Sequence, residues 1–248
     1  NQDLSSWNNN VSNVTNMAQM FQGATNFNGN ISGWITSSVI YLQGMFSGAN
    51  NFNQPLNSWN VSNVINLNFT FQNATDFNQD LSDWNTSSVT QMQATFMNAR
   101  AFNQTLTRDG NKWNTSNVTK MGDMFNGARD FNNGGSASIN NWDVSNVVFM
   151  HEMFNDARVF NIDISGWDTS SVTDMSGMFK DAEAFNQPLN SWNVSNVTNL
   201  NNTFNNADSF DQALSSWTVS SVIYLAGTFK GNNSFNQDLS NWDTSSVI

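Results

Sequence analysis

Ten tryptophans, at positions 7, 34, 59, 84, 113, 142, 167, 192, 217 and 242, divide the chain into near-identical phrases. The intervals between them are 27, 25, 25, 29, 29, 25, 25, 25 and 25 residues, a period of 25 broken by three insertions. The first adds two residues in "WNNNVSNV"; the others add four each, inside "FNQTLTRDGNKW" and "FNNGGSASINNW". A fixed period of this length marks stacked supersecondary units, none of which can bury its apolar face alone. The chain is therefore committed to a solenoid, and the phrase repeats because each coil must fit the one before and the one after.

Counting each Trp as zero, Ser recurs at +3 (Ser12 being displaced by the first insertion), Asn or Ser at +4 and Val at +5. Met or Leu then falls at +8, Phe at +12, Ala at +15 and a second Phe at +18. In "SNVTKMGDMFNGA" the apolar residues Val118, Met121, Met124, Phe125 and Ala128 follow a helical rhythm. The Asn or Ser at +4 suits an N-cap, whose side-chain oxygen accepts an orphaned N–H. The stretch "FNQDLSSW" alternates enough for a short strand that would stack in parallel with its neighbours. These readings predict a leucine-rich-repeat-like solenoid of about 25 residues per coil, with one short strand and one short helix or turn in each. A parallel β-helix is the alternative, because "WDTSSVT" also suits a strand.

Only 11% of residues are charged, yet 20 Phe, 10 Trp and 11 Met supply a core that disordered chains lack. A net charge of −11 argues against nucleic acid and against electrostatic attachment to anionic lipid. The sequence has no run of about 18 apolar residues, so no membrane-inserting helix is expected. Cysteine is absent, which removes disulfides and thiolate metal sites.

The phrase "WDTSSVTDMSGMFKDAEAFNQPLNSWNVSNV", from Trp167 to Val197, resembles the BspA-like leucine-rich-repeat surface proteins. The resemblance is stronger to their 25-residue-repeat relatives in mycoplasma surface lipoproteins and unicellular algae, and it covers the whole chain. It implies an extracellular or cell-surface solenoid that mediates adhesion or assembly, with no catalytic residues to carry over.

Most columns have a structural reading. The Trp column recurs in phase with Leu, Val and Phe and reads as core rather than as a sugar platform. The Asn after the second Phe (Asn28, Asn53, Asn78, Asn103, Asn132, Asn161, Asn186 and Asn236, with Asp211 in the same place) reads as a ladder satisfying stacked backbone, as does the Ser column of Ser37, Ser62 and Ser87. His151 is the only histidine, too little for a triad or a histidine metal site. No enzyme activity, cofactor or metal is expected.

The breaks in the repeat carry the functional signal. Six of the eight basic residues lie between Arg100 and Arg158, and Arg100, Arg129 and Arg158 share position +16 in consecutive coils, followed there by Glu183 and Asp208. Both four-residue insertions fall in the same coils. Arg100, Arg108, Lys112, Arg129 and Arg158 are thus the candidate partner contacts, for a carboxylated or sulfated glycan or an acidic protein patch, unless Asp130 and Asp156 neutralise them. Among many Asn-x-Ser/Thr sequons, Asn60, Asn85, Asn114, Asn117, Asn193 and Asn196 are candidate glycan acceptors, whereas Asn103 should be buried in the ladder.

Residues 1–248 read as one array of nine to ten repeats, uncapped at both ends, with a portion of a longer chain as the expectation. The leading functional expectation is a non-catalytic extracellular or cell-surface protein for adhesion or for a matrix, filament or appendage, with a protein or glycan partner or with copies of itself. An ice- or mineral-surface binder, using the small residues at +2 and +3, is one alternative. A glycan-binding or glycan-processing solenoid, needing two acids in one groove, is another.

Overall fold

The computed structural model describes residues 4–7 and 10–248. Its coils stack in parallel, joined by one bridge residue per coil at +7: Asn16, Tyr41, Asn66, Gln91, Lys120, Phe149, Asp174, Asn199 and Tyr224 pair in succession. The expected strand at "FNQDLSSW" does not form, and the described residues contain no named strand and no α-helix. The backbone N–H at +19 is instead taken by side chains, as when Asn78 donates to Asn53 Oδ1 at 3.0 Å and Asn103 to Asn78 Oδ1 at 2.9 Å. With that donor bonded to an amide oxygen, a backbone ladder has no hold on the segment.

Of the short helix or turn expected in each coil, a run of tight turns is what forms. Gly44, Phe46 and Gly48 donate N–H groups to the next coil, at the carbonyls of Asn68, Thr70 and Gln72. The residues between them, Met45, Ser47 and Ala49, donate three residues back within their own coil. Two residues per coil, at +10 and +14, sit in the left-handed region with φ between 51° and 73°. A left-handed residue every four positions interrupts the i→i−4 pattern, so no helix can propagate. The sequence shows this as Gly, Asn or Asp at many of these sites, diluted by Phe69, Ala94 and Glu152.

The N-cap expected at +4 is also displaced. Asn63 Nδ2, Asn117 Nδ2 and Ser88 Oγ donate to the +3 carbonyl of the previous coil at 2.7–2.8 Å. The residue at +1 accepts instead: Asn85 Oδ1 takes the N–H and hydroxyl of Ser87, an Asx turn. The Ser column is therefore held inside its own coil, not by a ladder of its own side chains.

Three aromatic columns fill the interior. Trp34, Trp59, Trp84, Trp113, Trp142, Trp167, Trp192 and Trp217 are at most 3% exposed, as the core reading requires. Within a coil the two Phe rings stack closely, Phe46 on Phe52 at 4.1 Å, and each also stacks on its counterpart in the next coil, Phe46 on Phe71 at 5.5 Å and Phe52 on Phe77 at 5.9 Å. Such pairs contribute about 0.5–1.5 kcal/mol each beyond the burial of their area. Position +2 also faces inward. Val61, Val144, Thr86 and Thr115 are at most 1% exposed, and both threonines donate hydroxyls to carbonyls of the next coil. The flat exposed face at +2 that an ice or mineral binder needs is absent from these coils.

Candidate functional site

The two long insertions lie side by side and are welded together. Residues 102–113 end in a tight reversal in which Asp109 and Lys112 exchange backbone hydrogen bonds around Gly110. Residues 131–142 carry two short 3-10 turns, Asn133–Gly135 and Ala137–Asn141. Asn133, fully buried, joins the two: its Oδ1 accepts the N–H of Leu106 at 2.8 Å while its Nδ2 donates to the Ser136 carbonyl at 2.6 Å. Thr107 adds a hydroxyl contact to Ser138 at 3.0 Å, and Arg108 Nη1 reaches the Asn141 carbonyl at 3.2 Å. Gly134 sits at φ 59°, where an added Cβ would press on Thr105 Oγ1 at 2.5 Å.

Beside this weld runs an open groove of about 750 Å³, lined by Arg108, Gly110, Asn140, Trp142, Asp143 and Asp168 among others. Asp143 Oδ1 accepts the N–H and hydroxyl of Ser145, at 3.2 and 2.7 Å. The hydroxyl and N–H of Ser170 hold the Asp168 carboxyl below its ordinary range. Asn140 Oδ1 accepts the N–H of Gly166 at 2.8 Å and lies so close that any side chain there would strike it.

The five basic candidates do not form one cluster around a shared partner. Asp156 lies between two of them, with Arg129 Nε at 2.8 Å and Arg158 Nε at 2.7 Å, and Arg158 also reaches Glu183 at 3.5 Å. Burial pushes the Asp156 carboxyl up, but hydrogen bonds from Arg158 and Arg129 bring it below its ordinary range. Two members of the Arg ladder, Arg129 and Arg158, are thus paired by Asp156, whereas Asp130 forms no ion pair among the described residues. Lys112 is held by Asp83 at 2.7 Å. Arg100 makes no ion pair among the described residues, and Arg108 alone of the five lines the groove.

The groove residues Asp143, Asp168, Asn140 and Gly166 were not legible in the sequence. Both acids occupy +1, where Asn60, Asn85, Asn114 and Asn193 stand in the same Asx turn, and Gly166 repeats the Gly33 that precedes Trp34, so nothing singles these residues out. Among the described residues no three His, Asp or Glu side chains come together as a metal set. No described helix is long and apolar enough to cross a membrane.

The sequon residues divide by position. Asn60, Asn85, Asn114 and Asn193, at +1, use Oδ1 in an Asx turn. Asn117 and Asn196, at +4, commit Nδ2 to the carbonyls of Ser87 and Ser170, both at 2.7 Å. Asn103 is half-buried rather than buried, and its Oδ1 accepts from the N–H groups of Asn132 and Gly134.

Residues 1–109, 106–208 and 188–248 each match the family described as "Mycoplasma protein of unknown function, DUF285". The chain belongs to the DUF285 family. Its three successive matches restate the internal repeat and account for the whole length. Comparison with curated proteins returns no match. Among solved structures, an internalin of Listeria monocytogenes is 9% identical, over 81% of this chain and 71% of that one, with a TM-score of 0.26. A TLR13–ssRNA13 complex follows at 11% identity, over 94% and 42%, TM-score 0.24. A leucine-rich-repeat protein of Leptospira interrogans stands at 9%, over 85% and 60%, TM-score 0.21. Likenesses this slight add nothing to the architecture, which rests on the DUF285 repeat and on the stacking of its coils.

Proposed function

We propose that this DUF285 chain is a non-catalytic extracellular or cell-surface protein, of the BspA-like kind, that presents its solenoid surface in adhesion or in building an extracellular assembly. The insertion-bearing coils are its specific contact. One observation carries this reading: the stack does not need the insertions. The bridge column passes from Gln91 to Lys120 to Phe149, and the Phe column from Phe96 to Phe125 to Phe154, without a break. The extra residues are folded into two loops tied together by hydrogen bonds, and loops on a regular scaffold are where function is carried.

The experiment shortens each loop by four residues, restoring the even period, and compares adhesion of protein-coated beads to cultured cells and matrix preparations. The reading expects a folded, still cooperative protein that has lost adhesion. Adhesion retained in full by the shortened protein would overturn the assignment of the contact. Electron microscopy of the same two proteins reads self-assembly: filaments formed by the parent and lost on shortening support assembly through this face.

A further inference from the structure

We infer that the groove between the inserted loops is a saccharide subsite taking an uncharged, hydroxyl-rich sugar, with Arg108 and Asp143 as its main polar contacts. This rests on the reading of the insertion-bearing coils as the contact face and names the ligand class that the face takes.

Both side chains keep unused hydrogen-bonding capacity. A guanidinium has five N–H donors, and Arg108 commits Nη1 to the Asn141 carbonyl, which fixes the side chain over the groove while leaving other donors available. Asp143 spends Oδ1 on Ser145, and among the described residues its Oδ2 accepts no hydrogen bond. Fixed donors and fixed acceptors therefore share one open groove. A ligand whose neighbouring atoms both accept and donate matches them, and a vicinal diol does so in its simplest form.

Charge narrows the class. Arg108 shares the lining with Asp143 and Asp168, so the groove carries more negative than positive charge, on a chain whose net charge is −11. Sulfated or carboxylated glycans would meet net repulsion, which turns the expectation drawn from the basic residues towards neutral sugars. Trp142 and Val144 lie beneath the groove as buried core, so its recognition is polar. Gly110 and Gly166 add no side chains to the lining.

Binding, not hydrolysis, is the chemistry. Two carboxylates in one groove invite a glycosidase reading, but a general acid needs a carboxyl held up towards neutrality. Asp168 is moved the other way, and Ser145 and Ser170 tie both acids into turns.

The test is NMR of the whole chain titrated with methyl mannoside, methyl galactoside, N-acetylglucosamine and lactose, and with a heparin disaccharide as the anionic control. The inference expects at least one neutral sugar to perturb the backbone amides of Gly110 and Gly166, which line the groove. Affinity should fall about tenfold or more in Arg108→Ala and Asp143→Asn, the scale of one charge-assisted hydrogen bond, and stay unchanged in Arg129→Ala. Unshifted melting temperatures in the variants exclude misfolding as the cause. Three outcomes overturn it: no perturbation by any neutral sugar, binding of the heparin disaccharide alone, or full affinity in Arg108→Ala. If loop shortening abolishes adhesion while no sugar binds, the contact face stands and the saccharide subsite falls.

Discussion

The indole N–H of Trp84 donates to the carbonyl of Leu56, 28 residues earlier, at 2.9 Å in a fully buried setting. The same bond recurs from Trp113 to Leu81, from Trp192 to Ile164 and from Trp217 to Leu189. Each of these tryptophans thus contributes apolar area to its own coil and gives a second hydrogen bond to a carbonyl of the previous one. That double duty explains why Phe, the simpler core residue, never takes its place.

Replacing Trp84 with Phe should therefore cost about 1–3 kcal/mol, from the loss of one of the two hydrogen bonds to the Leu56 carbonyl, which keeps the N–H of Trp59, plus the space left by the smaller ring. Trp7, 42% exposed, should tolerate the same change within about 0.5 kcal/mol. Urea unfolding of both variants checks this, and equal losses would show that the indole bond does not matter.

Asn78 Oδ1 accepts both the N–H of Asn103 and Nε2 of Gln104, each at 2.9 Å. Asn78→Ala should cost about 1–3 kcal/mol by leaving those donors unmet. Asn78→Asp should fold normally, because Asp211 already serves in the ladder, accepting from Asn236 and Gln237. Gln237 and the Asn236 N–H hold the Asp211 carboxyl below its ordinary range, and the carboxyl introduced by Asn78→Asp should titrate low for the same reason. A carbon-detected pH titration reads that value directly.

Much of this was legible in the sequence. The period set the stacking, the Trp and Phe phases marked the core, and the recurring Asn announced its ladder, because in each case a side chain sets the spacing. Helix and turn stood together as readings of this segment because turns closing every four residues produce the same apolar rhythm as a helix. Only backbone angles separate the two, and Phe69 at φ 59° gives no hint of them in its side chain. The groove stayed hidden for another reason: Asp143 and Asp168 become neighbours of Arg108 only once residues 102–113 fold over the next coils.

Phe69 offers a contrast with Phe71, two residues along. Phe69 is 38% exposed and left-handed, a conformation that costs a non-glycine residue about 1–2 kcal/mol. Gly44, Gly177 and Gly227 hold the equivalent position in other coils. Phe69→Gly should leave stability unchanged or raise it by up to about 1 kcal/mol, after the entropy of a glycine is counted. Phe71→Ala, at a fully buried site in the ring column, should cost about 3–5 kcal/mol. Calorimetry of the pair settles it, and a large loss for Phe69→Gly would mean that its ring is part of the fold.

Expressed in a host that glycosylates secreted chains, the protein should carry glycans at Asn60, Asn85, Asn114 and Asn193 in preference to Asn117 and Asn196. A glycan on Nδ2 of the latter pair removes a 2.7 Å bond to the previous coil. Peptide mapping by mass spectrometry gives site occupancy, and full occupancy at Asn117 would show that the bond is readily surrendered.

His151 and Asp123 make stability depend on pH in a direction that can be stated in advance. His151 Nε2 lies 3.3 Å from Asp123 Oδ2, and the ring rests on Gly122, where any side chain would collide with it. The hydrogen bond to Asp123 raises the His151 pKa above its ordinary 6.5 against the opposing effect of burial, helped by Asp174 and Glu152. Burial pushes Asp123 up, but hydrogen bonds from His151 and Asn126 bring it below its ordinary 3.8. A raised imidazole contributes stability that is fully present below 6.5 and is lost as pH rises through the folded value. A lowered carboxyl contributes above 3.8 and loses its part as pH falls through the folded value. The pair therefore stabilises most between these limits. Because His151 is the only histidine, a fall in melting temperature between about pH 6 and pH 9 belongs to it among the side chains that ordinarily titrate there. His151→Gln keeps a donor for Asp123 but cannot titrate, so its melting temperature should be flat across that window. Parallel slopes for the two proteins would show that His151 titrates alike in the folded and unfolded chain, whereas a slope confined to the parent confirms the pair.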